Sequence, residues 1–128
     1  MKLLTSIIIV MIGGGAGSAV RYLFSLWFSG SGWPLGTVAA NCIGSFVIGA
    51  VAGCDTLLPL PPRIRLLAAT GFCGGLTTMS SFVFETSGMV RTSEFLQAGI
   101  YATLTLAGSF ACFAAGMIIM KILVRTNV

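Results

Sequence analysis

Two short ladders of neutral hydrogen-bonding side chains interrupt an otherwise apolar sequence. Thr37, Asn41 and Ser45 recur every four residues, and so do Tyr101, Thr105 and Ser109. On a helix that spacing stacks each trio along one face. Polar groups are expensive in hydrocarbon, so in a membrane helix they are the first place to look for function. Hydroxyls and amides donate hydrogen bonds, and a row of them can replace part of an anion's hydration shell. A lysine or arginine at the same depth would hold the anion and slow its exit, whereas conduction needs weak binding at several sites. The same groups also serve as glue between helices. Spacing alone leaves both readings open: interhelical glue, or a lined path for a small anion.

A third stretch, GFCGGLTTMSSFVFE from Gly71 to Glu85, is unusual in another way. Three glycines and two adjacent threonines make a poor helix centre. Unwound backbone survives at membrane depth only inside protein or around a cavity, and the carbonyls it frees hold cations in some transporters. The competing expectation is an unbroken helix packed closely through its glycines. Gly13 with Gly17, and Gly44 with Gly49, are expected to let neighbouring backbones approach in the same way.

The elements that must carry these residues are set by composition. The chain has 128 residues, 56% apolar and 8% charged, with a mean hydropathy of +1.02. A soluble domain averages about 25% charged residues, so these charges cannot cover a water-facing surface. No charge occurs from Leu3 to Val20 or from Trp33 to Cys54. Four spans of roughly 20 residues fit the length as one domain over 1–128. The first runs from near Leu3 to Arg21 and an aromatic belt at Tyr22, Phe24, Trp27 and Phe28. A turn at Ser29 to Pro34 leads to the second, about Leu35 to Leu58. Leu58 to Pro62 cannot continue a helix. The third span is Ile64 to Val90, and a polar turn at Arg91 to Glu94 precedes the fourth, Phe95 to Leu123. Met1 to Ala19 has the outline of a signal peptide, but the chain beyond Ala19 is itself membrane-embedded, so this stretch is read as the first span.

The net charge of +4 sits at the ends of apolar runs, which suits anchoring at lipid headgroups rather than nucleic acid. Alternating the spans puts Lys2, Arg63, Arg65, Lys121 and Arg125 on one face against Arg21 and Arg91 on the other, a bias toward termini in the cytoplasm. Cys42, Cys54, Cys73 and Cys112 show no CxxC spacing and read as small buried hydrophobes. With no histidine, no acidic pair and no nucleotide loop, nothing is present from which to build a catalytic site.

Three motifs, GGGAGSAVRY (Gly13 to Tyr22), GTVAANCIGSFVIG (Gly36 to Gly49) and GFCGGLTTMSSFVFE, occur in this order and together span most of the chain. In them the sequence closely resembles the family of small bacterial fluoride channels, formerly called camphor-resistance proteins. The resemblance implies an all-α, four-span protein of the bacterial inner membrane with a break in the third span. It implies a dimer of antiparallel copies with two fluoride pores at the interface, exporting fluoride passively. Asn41 is then the pore amide, Phe82 a ring facing the ion, Ser81 a neighbouring hydroxyl, and Tyr101, Thr105 and Ser109 a polar track. Arg21 and Glu85 fall at the vestibule or pore. The carbonyls of Gly74 and Thr77 are implied to hold a structural Na⁺ shared by the two subunits. Met79 departs from the pattern, because the family usually has phenylalanine there. The alternative is a proton-coupled small-molecule exporter resembling the small multidrug transporters. Those rely on a glutamate in the first span, where this chain has none, and Glu85 is the only candidate for that role.

Overall fold

A computed structural model describes residues 2–126; Met1, Asn127 and Val128, at the two ends of the expected domain, lie outside them. Helix α1 (Leu3–Trp27) leads through a short 3-10 turn at Ser29–Ser31 into α2 (Leu35–Asp55). The third span begins as α3 (Pro62–Arg65), winds more widely as a π-helix over Leu66–Cys73, and ends its first half as α4 (Gly74–Leu76). It resumes as α5 (Met79–Arg91), and α6 (Phe95–Thr126) closes the chain. The stretches Leu3–Ser31, Leu35–Asp55, Pro62–Arg91 and Phe95–Thr126 are each long and apolar enough to cross a bilayer. This is an all-helical, multi-pass membrane protein with four spans.

The ends of the spans differ by a few residues from the expected ones, for local reasons. α2 stops at Asp55, short of Leu58, because the Asp55 carboxylate fastens the next loop. Its Oδ1 accepts the Leu60 N–H at 2.8 Å and its Oδ2 accepts from Arg65 Nη1 at 3.0 Å. Pro62 does not close that loop but opens α3, at a position where the missing N–H has no helical partner to lose. Gly32 (φ +69°) supplies the left-handed residue that the Ser29–Pro34 turn requires.

Glycine sets the packing. Gly13 and Gly17 of α1 face the third span so closely that a Cβ on Gly13 would lie 2.9 Å from Phe72 N and 3.0 Å from Gly71 Cα. A Cβ on Gly17 would overlap the Phe72 carbonyl and reach Leu76 N at 2.7 Å, while one on Gly75 would overlap the Gly14 carbonyl. A second seam joins α2 to α6: Gly49 lies against the Phe113 carbonyl, Gly53 against Met117, and Gly116 against the carbonyl of Phe46. Residue numbers rise together across both seams, so α1 runs parallel to the third span and α2 parallel to α6. Lipid chains are as apolar as leucine, so close backbone approach and its dispersion energy, rather than apolar burial, hold such helices together. The large side chains accordingly point outward: Leu3, Phe84, Leu96 and Phe110 are each more than 60% exposed.

This packing explains why the break does not fall among the glycines. Gly71 and Gly75 are used against α1, and the helix is interrupted at Thr77 and Thr78 instead. Close glycine packing and a broken helix are both present, at different residues.

A side chain at Gly49 has no room, whereas Gly15 has no neighbour within 4 Å of its missing Cβ. Gly49→Val should therefore destabilise the protein by at least the about 1–3 kcal/mol typical of overpacking, read as a lower midpoint of thermal unfolding in detergent. Gly15→Ala should leave that midpoint unchanged or slightly raised, and equal losses in the two variants would contradict the seam.

Candidate functional site

The break is built by one asparagine. Thr77 (φ −76°, ψ 151°) and Thr78 (φ −149°, ψ 116°) are extended. Thr77 ends the first half by giving both its N–H and its hydroxyl to the Cys73 carbonyl, each at 2.9 Å. In a continuous helix the Thr78 N–H would go to the Gly74 carbonyl. It goes to Asn41 Oδ1 instead, at 2.7 Å, and Asn41 Nδ2 returns a bond to the Thr78 carbonyl at 3.3 Å. The Thr78 hydroxyl then caps α5 by accepting the Ser81 N–H at 3.2 Å. Gly44, one turn below Asn41 on α2, leaves the space into which the Thr77 methyl fits.

The break has two consequences. The carbonyls of Gly74 and Thr77 lose the N–H groups that a continuous helix would aim at them, because those of Thr78 and Ser81 are committed elsewhere. And Asn41, expected as an amide facing the ion, spends its oxygen and one amide hydrogen on backbone. An amide NH₂ carries two donors, so one hydrogen remains for the groove that Asn41 lines.

That groove has a volume of about 370 Å³ and runs along the break between α2 and α6. The last two members of each ladder meet in it: Asn41 and Ser45 from α2, Thr105 and Ser109 from α6. Phe82, Met79, Gly74 and Thr77 also line it. The lining carries no acidic or basic side chain. Met79 is 64% exposed at its rim. Thr105 is 3% exposed, and its hydroxyl has no hydrogen-bond partner among the described residues.

The remaining expected residues lie in an adjoining hollow of about 270 Å³ that meets the groove at Thr78. Arg21, Ser81, Glu85 and Thr37 line it. Thr37 donates to Glu85 Oε1 at 2.9 Å and the Tyr101 hydroxyl donates to Glu85 Oε2 at 2.5 Å, so the carboxylate is held at both oxygens. Tyr101 is fully buried behind this pair, and its ring packs on Phe82 with centroids 5.4 Å apart. The structure thus divides each ladder: Thr37 and Tyr101 position Glu85, while Asn41, Ser45, Thr105 and Ser109 line the groove. The Glu85 clamp was not anticipated from sequence. Its one signal is that Thr37 and Tyr101 are the first residues of their respective ladders.

Comparison with known proteins places the chain. Residues 8–117 match the family described as CrcB-like protein, Camphor Resistance (CrcB), and the chain belongs to that family. Among curated proteins it is 45% identical to the Fluoride-specific ion channel FluC of Chlorobaculum tepidum over 121 residues, covering 91% of this chain and 95% of that one. It is 44% identical to the protein of the same name from Bordetella avium over 109 residues, covering 84% and 86%. A third, from Leptospira interrogans, is 37% identical over 125 residues, covering 94% and 98%.

Removing the Asn41 amide takes both partners from the Thr78 backbone: either those groups stay unpaired, at about 1–3 kcal/mol each, or the third span rewinds and gives up the packing built around the break. Asn41→Ala should therefore lower the unfolding midpoint clearly. Thr105→Val, which removes a hydroxyl without a hydrogen-bond partner among the described residues, should leave the midpoint unchanged or raise it. The reverse ranking in one unfolding series would contradict the hydrogen-bond assignment.

Proposed function

We propose that this protein is a fluoride-selective channel of the bacterial inner membrane, through which fluoride leaves passively, and that it works as two identical chains in opposite orientations. The observation that carries the reading is the groove lining: Asn41, Ser45, Thr105 and Ser109 bring neutral hydrogen-bonding groups to it and no charged side chain. Donors of that kind call for an acceptor in the groove. A small anion is such an acceptor, and the names of the relatives say which anion they conduct.

The groove suits conduction better than storage. Thr105, Ser109, Ser45 and the free hydrogen of Asn41 offer successive weak contacts with no fixed cation to trap the ion. An aromatic ring has a positive edge, so Phe82 can replace part of the ion's hydration where a full charge would hold it. Met79 sits at the rim, where the resembling family carries a second ring, and offers a polarizable thioether instead. In the adjoining hollow, Arg21 supplies a positive charge that attracts anions toward Ser81 and the groove. Glu85, held by Thr37 and Tyr101, is a fixed carboxylate with both oxygens engaged. That arrangement favours a passive path over a proton-coupled exporter.

A single chain leaves the groove open on one side, and an inverted second copy would close it. The same pairing would bring two Gly74 and two Thr77 carbonyls together as ligands for a Na⁺. Oxygen-only donors suit a hard cation, and the diversion of the Thr78 and Ser81 N–H groups is what leaves these carbonyls free. The ion would contribute charge compensation and cross-linking at the centre of the dimer.

Reconstituted liposomes should release fluoride rapidly when a permeant cation dissipates the voltage, and chloride far more slowly. Phe82→Ile should cut fluoride flux by about tenfold or more, equivalent to a barrier higher by about 1.4 kcal/mol. Met79→Phe should conduct at least as well as the parent. Equal fluoride and chloride fluxes, or flux that needs a proton gradient, would overturn the reading. For the assembly, a C-terminal tag should be accessible from both sides of functional vesicles, and tags facing one side only would exclude antiparallel identical chains.

A further inference from the structure

One pair of reactive groups belongs neither to the groove lining nor to the Glu85 clamp. Across the α2–α6 seam, Gly108 and Gly116 both meet α2. The Cβ that Gly108 lacks would lie 3.1 Å from Cys42 Sγ, and that of Gly116 would overlap the Phe46 carbonyl. Cys112 stands one turn beyond Gly108 and one turn before Gly116, on the same face of α6. Its side chain therefore enters the seam between Cys42 and Phe46. The Cys42 thiol is accordingly near enough to the Cys112 thiol and the Ser109 hydroxyl to interact with both. Both cysteines are half-buried and neither is in a disulfide.

From this juxtaposition we infer a two-thiolate metal site between α2 and α6, selective for a soft divalent cation that accepts two ligands in a line, the mercuric ion. Thiolate sulfur selects soft metals. Zinc would require about four ligands, and among the described residues no group of three or more histidine, cysteine or acidic side chains comes together. Charge decides between the remaining soft ions. Two thiolates around a monovalent silver or cuprous ion leave a net negative charge in an apolar seam, which is costly. Around a divalent ion they leave a neutral unit. In the binding step each thiol loses its proton to water and two sulfur–mercury bonds form. No atom changes oxidation state.

The site reaches the groove through Ser109. Cys42 interacts with that hydroxyl, and Ser109 lines the groove, which Cys42 does not. Metal at Cys42 withdraws the thiol from Ser109 and holds α2 and α6 at the spacing the two sulfur–metal bonds require. Occupancy of the site should therefore reduce whatever flux the groove supports.

The test is a mercuric chloride titration of the purified full-length protein in detergent, read by intact mass and by maleimide footprinting. The first equivalent should add one mercury per chain with loss of two protons, and should protect Cys42 and Cys112 while Cys54 stays reactive and the buried Cys73 is unchanged. Cys42→Ser and Cys112→Ser should each surrender the metal to a competing monothiol that the parent resists, because the second thiolate acts at high effective concentration. Cys54→Ser combined with Cys73→Ser should behave as the parent. If either single variant of the pair retains mercury as tightly, or if Cys54 is protected before Cys42 and Cys112, the site does not exist. These readouts do not depend on fluoride conduction, so they fail separately from the channel reading.

Discussion

Two hydrogen bonds between one side chain and one residue's backbone, Asn41 to Thr78, govern the middle of this protein. By taking the Thr78 N–H, Asn41 removes the donor that would close a helical turn on Gly74. It thereby turns a 30-residue span into two half-helices. Thr78 is satisfied at every polar position, by Asn41 at its backbone and as the cap of α5 at its hydroxyl. The chain can therefore leave the helix at membrane depth without stranding a polar group on Thr78, the condition that hydrocarbon imposes on any irregular backbone. The groove, the exposed carbonyls and the direction of α5 are all set at this point.

Such a clamp works only if α2 and the third span are held in fixed register, and the glycine seams provide that. Gly13 and Gly17 lock α1 to the first half of the third span, and Gly49, Gly53 and Gly116 lock α2 to α6. Gly44 joins the two pairs by admitting Thr77. α5 has no buried residue, and its ties to its neighbours run through polar contacts at Glu85 and the ring of Phe82. α5, with Ser80, Ser81, Glu85, Thr86, Ser87 and Arg91 in its short length, is thus polar where it is little committed to packing.

Much of this was legible in sequence because it is periodic. The four spans follow from apolar run length, and the two ladders from a four-residue repeat that places Asn41, Thr105 and Ser109 on facing helices. What could not be read is what has no period. Asn41 and Thr78 are 37 residues apart, and nothing in their spacing says that a side-chain amide will replace a helical turn. The same holds for Thr37 and Tyr101, which look like further rungs of the ladders but are turned toward Glu85. Glycine was half a guide: three glycines and two threonines together marked a poor helix centre, and the break falls at the threonines, whereas close approach to α1 is what Gly71 and Gly75 are for. The π-helical winding of Leu66–Cys73 had no signal at all in composition.

Asn41 thus makes the break, and the break in turn makes the groove and frees the carbonyls. An experimentally determined structure of Asn41→Ala in a lipid environment, read at the backbone of Thr77 and Thr78, tests this dependence. Thr78 should turn helical and return its N–H to the Gly74 carbonyl, so that the third span runs on through the former gap. A Thr78 that stays extended, with Gly74 still unbonded and the groove unchanged, would show that the break forms without Asn41 and would refute the role assigned to it.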